Sequence, residues 1–332
     1  MKQIKKLPLF TRVTPLEYME NISRQLKGPD IYIKRDDLTD AALGGNKVRK
    51  LEYILADALD KGCDTIITTG GPQSNHARIT AGVCAKTGLH CVLLLSGNKK
   101  ETLEGNLLLD KIFGAEVRFA DSWDFEKIQA MMEELAKHLT AKGHKAYPVP
   151  IGGACGLGAM GYAECFSEIL EQEKALKVKF DRIIVANGSG GTQAGLEIGK
   201  AENSSKKEIL GISVLFKKEK ALTAVKKEIM EGYEVLGKKS RVKMESVVID
   251  DAYLGEGYAV PDARVLEAIG LVGRTEGIVL DPVYTGKAFG GLIDYIRLGK
   301  IGKDEKILFL HTGGYPGMVN MTEKHKKYFE NF

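Results

Sequence analysis

Two spacings alternate along the chain. Short runs of β-branched and other apolar residues fall at 31–34, 65–69, 91–95, 117–120, 147–150, 182–186, 209–215 and 306–310, each bounded by turn-forming residues. Between them apolar residues recur at i, i+3 and i+4, as Leu51, Ile54, Leu55, Ala58 and Leu59 do. This predicts helices over 47–61, 74–87, 103–113, 124–142, 158–175, 191–201, 218–231, 262–275 and 286–298. Strand and helix in strict turn predict an α/β chain with parallel sheets covered by helices on both faces. Glycines gather where strands hand over to helices: Gly44-Gly45, Gly70-Gly71, Gly152-Gly153, Gly188 to Gly191, and Gly313-Gly314. In parallel α/β sheets these junctions form the ligand crevice, so the glycines mark one face of the protein.

Length changes the picture first. A chain of 332 residues is too long for one small core, and suggests two domains or one large domain with an insertion. Charge changes little: 48 basic and 44 acidic residues leave +4, which makes no case for nucleic acid. No apolar run approaches bilayer length, and the basic start Met1-Lys2-Gln3-Ile4-Lys5-Lys6 has no apolar stretch behind it to suggest a signal peptide. Five cysteines, Cys63, Cys84, Cys91, Cys155 and Cys165, include no C-x-x-C pair. They read as reduced thiols in a cytoplasmic protein, without a disulfide framework or a metal site.

Two features carry chemistry. The first is Gly44-Gly45-Asn46-Lys47, where the glycines allow a tight turn and Asn46 is a good N-cap for a helix opening at Lys47. A helix start favours anions, so a lysine there gains nothing structurally. Its amine feels positive potential, which lowers its pKa and frees the lone pair for Schiff-base chemistry. The second is Asn187-Gly188-Ser189-Gly190-Gly191-Thr192, between a strand and a helix. Side-chain-free backbone with free N–H groups at a helix start suits an anion, Ser189 and Thr192 can add hydroxyl donors, and the alternative is a tight packing turn. A dinucleotide fingerprint fails, because position 193 is Gln and the following strand ends in Phe216-Lys217-Lys218 without an acid. A Walker loop fails too, since Gly286-Lys287 lacks the upstream glycine and a following hydroxyl. A phosphate monoester fits best, and with a reactive lysine it points to pyridoxal 5'-phosphate (PLP).

GGNKVRKLEY (44–53), QSNH (73–76), GSGGT (188–192), LDPVYTGKA (280–288) and HTGG (311–314) together resemble the D-cysteine desulfhydrase and 1-aminocyclopropane-1-carboxylate (ACC) deaminase family. The resemblance runs from Thr14 to about Gly317. It implies the tryptophan-synthase β-like fold (fold type II), with a larger cofactor-binding domain of residues 1–46 and 161–332 and a smaller α/β domain of residues 47–160. It makes Lys47 the cofactor-bearing lysine, with Lys50 its local competitor. It puts Asn75 against the pyridoxal 3′-oxygen and a hydroxyl of Ser74 toward the substrate, although Ser74 also reads as a helix N-cap. Gln73 and His76 either approach the substrate carboxylate or support the loop. Tyr284 and Tyr258 become acid, base or hydrogen-bond groups beside the cofactor. Cys155 stands where the family usually has a hydroxyl. A homodimer is implied as well.

The branch between the two activities turns on charge at the pyridine nitrogen. By the same resemblance, ACC deaminases carry a glutamate after the active-site tyrosine and an apolar residue after the late histidine; here those positions are Thr285 and Thr312. Hydroxyls can bond a neutral ring nitrogen without holding it protonated. That favours β-elimination from D-cysteine to pyruvate, sulfide and ammonia over opening a cyclopropane. ACC, L-cysteine, cysteate and diaminopropionate remain alternative substrates. A nicotinamide oxidoreductase and a non-catalytic PLP carrier are the rivals of a different class.

Overall fold

A computed structural model describes residues 4–330; the extreme ends of the chain, including Met1-Lys2-Gln3, lie outside the described residues. The elements that build the sheets run β1 (Leu16–Tyr18), α1 (Glu20–Leu26), β2 (Asp30–Arg35), α2 (Lys47–Asp60), β3 (Thr65–Gly70), α3 (Asn75–Thr87), β4 (His90–Leu95), α4 (Gly105–Ile112), β5 (Glu116–Phe119), α5 (Phe125–Ala141) and β6 (Ala146–Pro148). They continue α6 (Gly156–Leu176), β7 (Arg182–Asn187), α7 (Gly191–Glu202), β8 (Glu208–Ser213), α8 (Lys218–Leu236), β9 (Val248–Asp250), α9 (Ala263–Glu276), α10 (Thr285–Arg297) and β10 (Lys306–His311).

The strands form a six-stranded sheet in the order β1-β2-β10-β7-β8-β9 and a four-stranded sheet in the order β5-β4-β3-β6. All neighbours are parallel except the edge pair β1 and β2. The central strands β7 and β10 are unbroken apolar runs because both their faces are covered. One face of the larger sheet packs Ile184, Leu210, Ile307 and Phe309 against Val265, Phe289 and Leu292 of α9 and α10. The other packs Ile183, Val185, Leu308 and Leu310 against Tyr162 and Phe166 of α6. The smaller sheet has its own cores, built on Ile66, Leu93 and Leu95 on one side and Ile67, Val92 and Leu94 on the other.

Strand order fixes where a ligand can sit. From β7 the chain winds outward one way through α7, β8, α8 and β9, while β10 lies on the other side of β7. The switch point is therefore between β7 and β10, and their C-terminal ends lead into Gly188–Gly191 and Thr312–Gly314. Between β2 and β7 the chain leaves this sheet, makes α2 and the whole four-stranded sheet, and returns along α6. At Gly161 a Cβ would collide with the carbonyl of Arg49, so α6 and α2 lie in direct backbone contact there. That contact sets the height of the first turn of α2 above the crevice.

Candidate active site

The loop before α2 is tied down on two sides. Asn46 was expected to cap α2 with its side chain; instead it has helical backbone angles and makes no capping bond. Its side-chain amide donates to Thr192 Oγ1 at 2.9 Å, and its backbone N–H to Thr312 O at 3.1 Å. The lysine that follows is thus held between the glycine loop and the end of β10. A Cβ on Gly152 would lie 4.0 Å from Lys47 Nζ and 2.6 Å from Ser189 Oγ, so amine and hydroxyl face one small space. Burial, and then the charge of Lys50, push the pKa of Lys47 well below the ordinary lysine value, with Glu228 a partial offset. The helix start alone was credited with this effect; desolvation and a second lysine carry it.

That second lysine is the main residue the sequence reading undervalued. Lys50 is fully buried on the same helical face, one turn on, and its Nζ donates to Gly152 O at 3.2 Å. It also stands 2.7 Å from the point a Cβ on Gly191 would occupy. The i, i+3 spacing from Lys47 was the available signal. The N–H groups of Gly190, Gly191 and Thr192 find no acceptor among the described residues. Free amides at the start of α7, the hydroxyls of Ser189 and Thr192, and one buried ammonium fit a phosphate monoester. An amine beside them whose burial disfavours its charge fits an aldehyde. The residues present therefore match both ends of pyridoxal phosphate.

Tyr284 borders the same cup: its Cε1 is 3.3 Å from the Cβ position of Gly188. Its Oη and that of Tyr258 are 2.5 Å apart, with the rings edge to face. Burial, then the neighbouring phenol, hold Tyr284 well above the ordinary tyrosine pKa, and burial raises Tyr258 also, so both keep their protons at neutral pH. The loop bearing Tyr258 is pinned by Lys287, whose buried amine donates to Leu254 O and Gly257 O, each at 2.7 Å. Gly286-Lys287, tested above only as a nucleotide loop, thus has a structural use.

The QSNH segment divides. Ser74 caps α3 by accepting from Ala77 N at 3.2 Å, and its hydroxyl proton is left to donate elsewhere. Asn75 Oδ1 accepts from Asn106 Nδ2 at 2.9 Å, which turns the Asn75 amide nitrogen toward Gly314, 3.0 Å from its Cβ position. Asn106 is buried in α4 and gave no local sequence signal. Gln73 and His76 both have partners that support the loop. Gln73 bonds Asn106 N at 2.8 Å and Glu104 O at 3.1 Å. His76, buried, shares Nε2 with Thr68 Oγ1 at 2.8 Å, and that hydroxyl donates to Val149 O.

The two threonines differ in what they bond. Thr285 is fully buried, donating to Asp281 Oδ1 at 2.8 Å and accepting from Asp281 N at 2.8 Å. Asp281 is itself filled, taking the N–H groups of Val283, Tyr284 and Thr285 and so capping α10. Thr312, beside Asn46 and Gly45, commits only its backbone carbonyl. Cys155 is half-buried with its pKa raised by burial, and all five cysteines are free thiols. Among the described residues no group of acids, histidines and cysteines is placed to hold a metal, and no helix is long and apolar enough to cross a membrane.

Residues 7–313 match the model of a family described as pyridoxal-phosphate dependent enzymes. A protein of Pyrococcus horikoshii that carries the provisional name 1-aminocyclopropane-1-carboxylate deaminase is 46% identical, the match covering 96% of this chain and 94% of that one. The D-cysteine desulfhydrase of Yersinia enterocolitica is 44% identical over 96% of both. A crystal structure of an ACC deaminase homologue superposes with a TM-score of 0.90 at 43% identity, over 99% of this chain and 97% of the other.

Proposed function

This chain belongs to the family of pyridoxal-phosphate dependent enzymes and is a PLP-dependent lyase, and from that premise we propose that it catalyses β-elimination from D-cysteine, yielding pyruvate, sulfide and ammonia. The observation that carries this reading is what stands after Tyr284, where a carboxylate could hold the ring nitrogen protonated. The position after Tyr284 is Thr285, closed onto Asp281, and the carboxylate of Asp281 is saturated by α10. A hydroxyl, Thr312, is left to meet a ring nitrogen, and a hydroxyl does not hold that nitrogen protonated.

When bound, PLP supplies an aldehyde for amines and an electron-accepting ring for the α-carbon. The chain supplies the rest. Lys47, whose burial disfavours the charged amine, would be the residue that carries the cofactor and, when free of it, the base for the α-proton. Tyr284, backed by Tyr258, is the other candidate for that base, but a phenol that keeps its proton suits the opposite task, donating to departing sulfide. The α-C–H pair becomes the α–β double bond, and the C–S pair leaves on sulfur. The enamine product is released and hydrolysed to pyruvate and ammonia. The amides of 190–192 with Lys50 hold the phosphate, Asn75 the 3′-oxygen, and Ser74 offers its hydroxyl to the substrate.

A second reading, ACC deaminase, is favoured by the name of the P. horikoshii relative. One assay separates them: release of 2-oxo acid from both cysteine enantiomers, ACC, cysteate, serine and diaminopropionate. D-cysteine should lead, and preference for ACC would overturn the first reading. Lys47→Ala should lose the visible absorbance of bound cofactor and turnover together; full activity in that variant would remove Lys47 from its role. A division into residues 1–46 with 161–332 and residues 47–160, a homodimer and a cytoplasmic location belong to the same proposal. Limited proteolysis, light scattering and cell fractionation test them in turn.

A further inference from the structure

One buried acid beside the cup has no task in the scheme above. Glu228, on α8, is 4% exposed, and its Oε2 has no hydrogen-bond partner among the described residues. It points at the start of α7. A Cβ on Gly190 would lie 2.9 Å from Glu228 Oε1, and one on Gly191 would touch Oε2 while standing 2.7 Å from Lys50 Nζ. The charged and titratable groups facing it are Lys47 and Lys50 from α2, Cys155 ahead of α6, and Lys227 and Glu231 on its own helix; α7 presents glycine backbone. A phosphate monoester in the cup would set up to two negative charges beside this carboxyl, with Lys50 the nearest cation. An ionised carboxylate there would be desolvated and repelled at once.

Resting on the PLP reading, we propose that Glu228 is a phosphate-facing acid that holds a proton when the cup is filled, so that cofactor retention is linked to proton uptake. Burial already raises Glu228 to about 8 against the pull of Lys50, with Glu231 adding to the rise. A phosphate nearby moves it in the same direction. At pH 7 the proton is largely in place beforehand; above pH 8 filling the cup must take one up. Retention then weakens as pH rises, approaching about tenfold per pH unit for a single linked proton.

The test is ³¹P NMR of the holoenzyme between pH 6.5 and 10, with the dissociation constant of the cofactor followed by visible absorbance. In the native protein the bound resonance should shift in one proton step above pH 8, and retention should fall with it. In Glu228→Gln the resonance should stay bound, the step vanish and the alkaline loss of retention flatten. Glu228→Asp keeps the acid with a shorter reach and should displace the step, which decides the matter should the glutamine variant not fold. A step unchanged in the variants, or a native resonance that does not move, overturns the proposal. A preparation with no bound ³¹P resonance and no visible band would instead fail the cofactor reading beneath it.

Discussion

Thr285 and Thr312 carry the same hydroxyl in opposite situations, and single substitutions should separate them. Thr285→Val deletes a donor to Asp281 Oδ1 and the acceptor for Asp281 N, both fully buried. The cost falls on the start of α10 and should be about 1–3 kcal/mol of stability, with the cofactor spectrum unchanged. Thr312→Val removes a hydroxyl that the fold does not use. It should leave stability within about 0.5 kcal/mol of the native protein, move the visible band of the bound cofactor, and lower kcat roughly fivefold, the worth of one neutral hydrogen bond. Urea unfolding, the absorbance spectrum and kcat for D-cysteine, measured on both variants, check this. A spectral change confined to the Thr285 variant would reverse the assignment.

At the scale of elements, α2 is held by an ion network that also fixes Lys47. Arg49, 1% exposed, donates to Asp36 Oδ2 at 2.8 Å at the end of β2 and to Glu168 Oε1 and Oε2 at 2.9 Å on α6. Tyr162 Oη adds a 2.6 Å bond to Asp36. Burial opposes the ionisation of Asp36 and Glu168, but the Arg49 charge and hydrogen bonds outweigh it and hold both below their ordinary values. Their contribution is therefore fully present above the unfolded carboxylate pKa, about 4, and is lost as pH falls through the folded value. Arg49→Met should cost about 3–5 kcal/mol at pH 7, because it strands a buried carboxylate. It should also reverse the pH trend: Asp36 then titrates above its unfolded value, and the variant gains stability from pH 7 to pH 5. Urea midpoints at both pH values test this, and a variant within about 1 kcal/mol of the native protein would exclude it. None of this network was legible from sequence, since Asp36, Arg49 and Glu168 meet only through packing. The elements it joins were legible, because β7 and β10 are continuous apolar runs and α2 has a clear amphipathic period. The three-residue edge strands β1 and β9 were too short to show any period. The strand expected over 209–215 ends at Ser213, whose hydroxyl turns to Phe216 O, and α8 outruns its expected end at 231 until Gly237 stops it with a left-handed φ of 66°. The glycine cup and Lys47 could be read locally, whereas Lys50, Asn106 and Glu228 acquire meaning only once α2, α4 and α8 converge on it.

Across the whole molecule, the chain passes between the two sheets at two places, and both contain left-handed backbone. Before α2 the residues Ala42, Leu43, Gly44 and Gly45 have φ of 49°, 61°, 71° and 130°; before α6, Gly152 and Gly153 have 71° and 59°. Ala42 and Leu43 hold a conformation that costs an ordinary L-residue about 1–2 kcal/mol each, so this crossing is set by tertiary contacts. Both crossings border the crevice, since Gly45 meets Thr312 O and Gly152 meets Ser189. On the open side the start of α4 at Gly105 meets Val319, and Asn75 at the start of α3 lies against Gly314. Ser74 and Asn75 ride on the smaller unit; Gly188–Thr192, Tyr284 and Thr312 belong to the larger. A rotation at the two crossings would carry Ser74 and Asn75 over the cup and exclude water from the reacting α-carbon. Crystal structures of the holoenzyme with and without an unreactive substrate analogue should therefore differ in the separation of Ser74 from Tyr284 while distances within each sheet stay fixed. The φ changes should concentrate at 42–45 and 152–153. Identical spacing in the two states would mean that the site is preformed and that the strained crossing serves only to place Lys47.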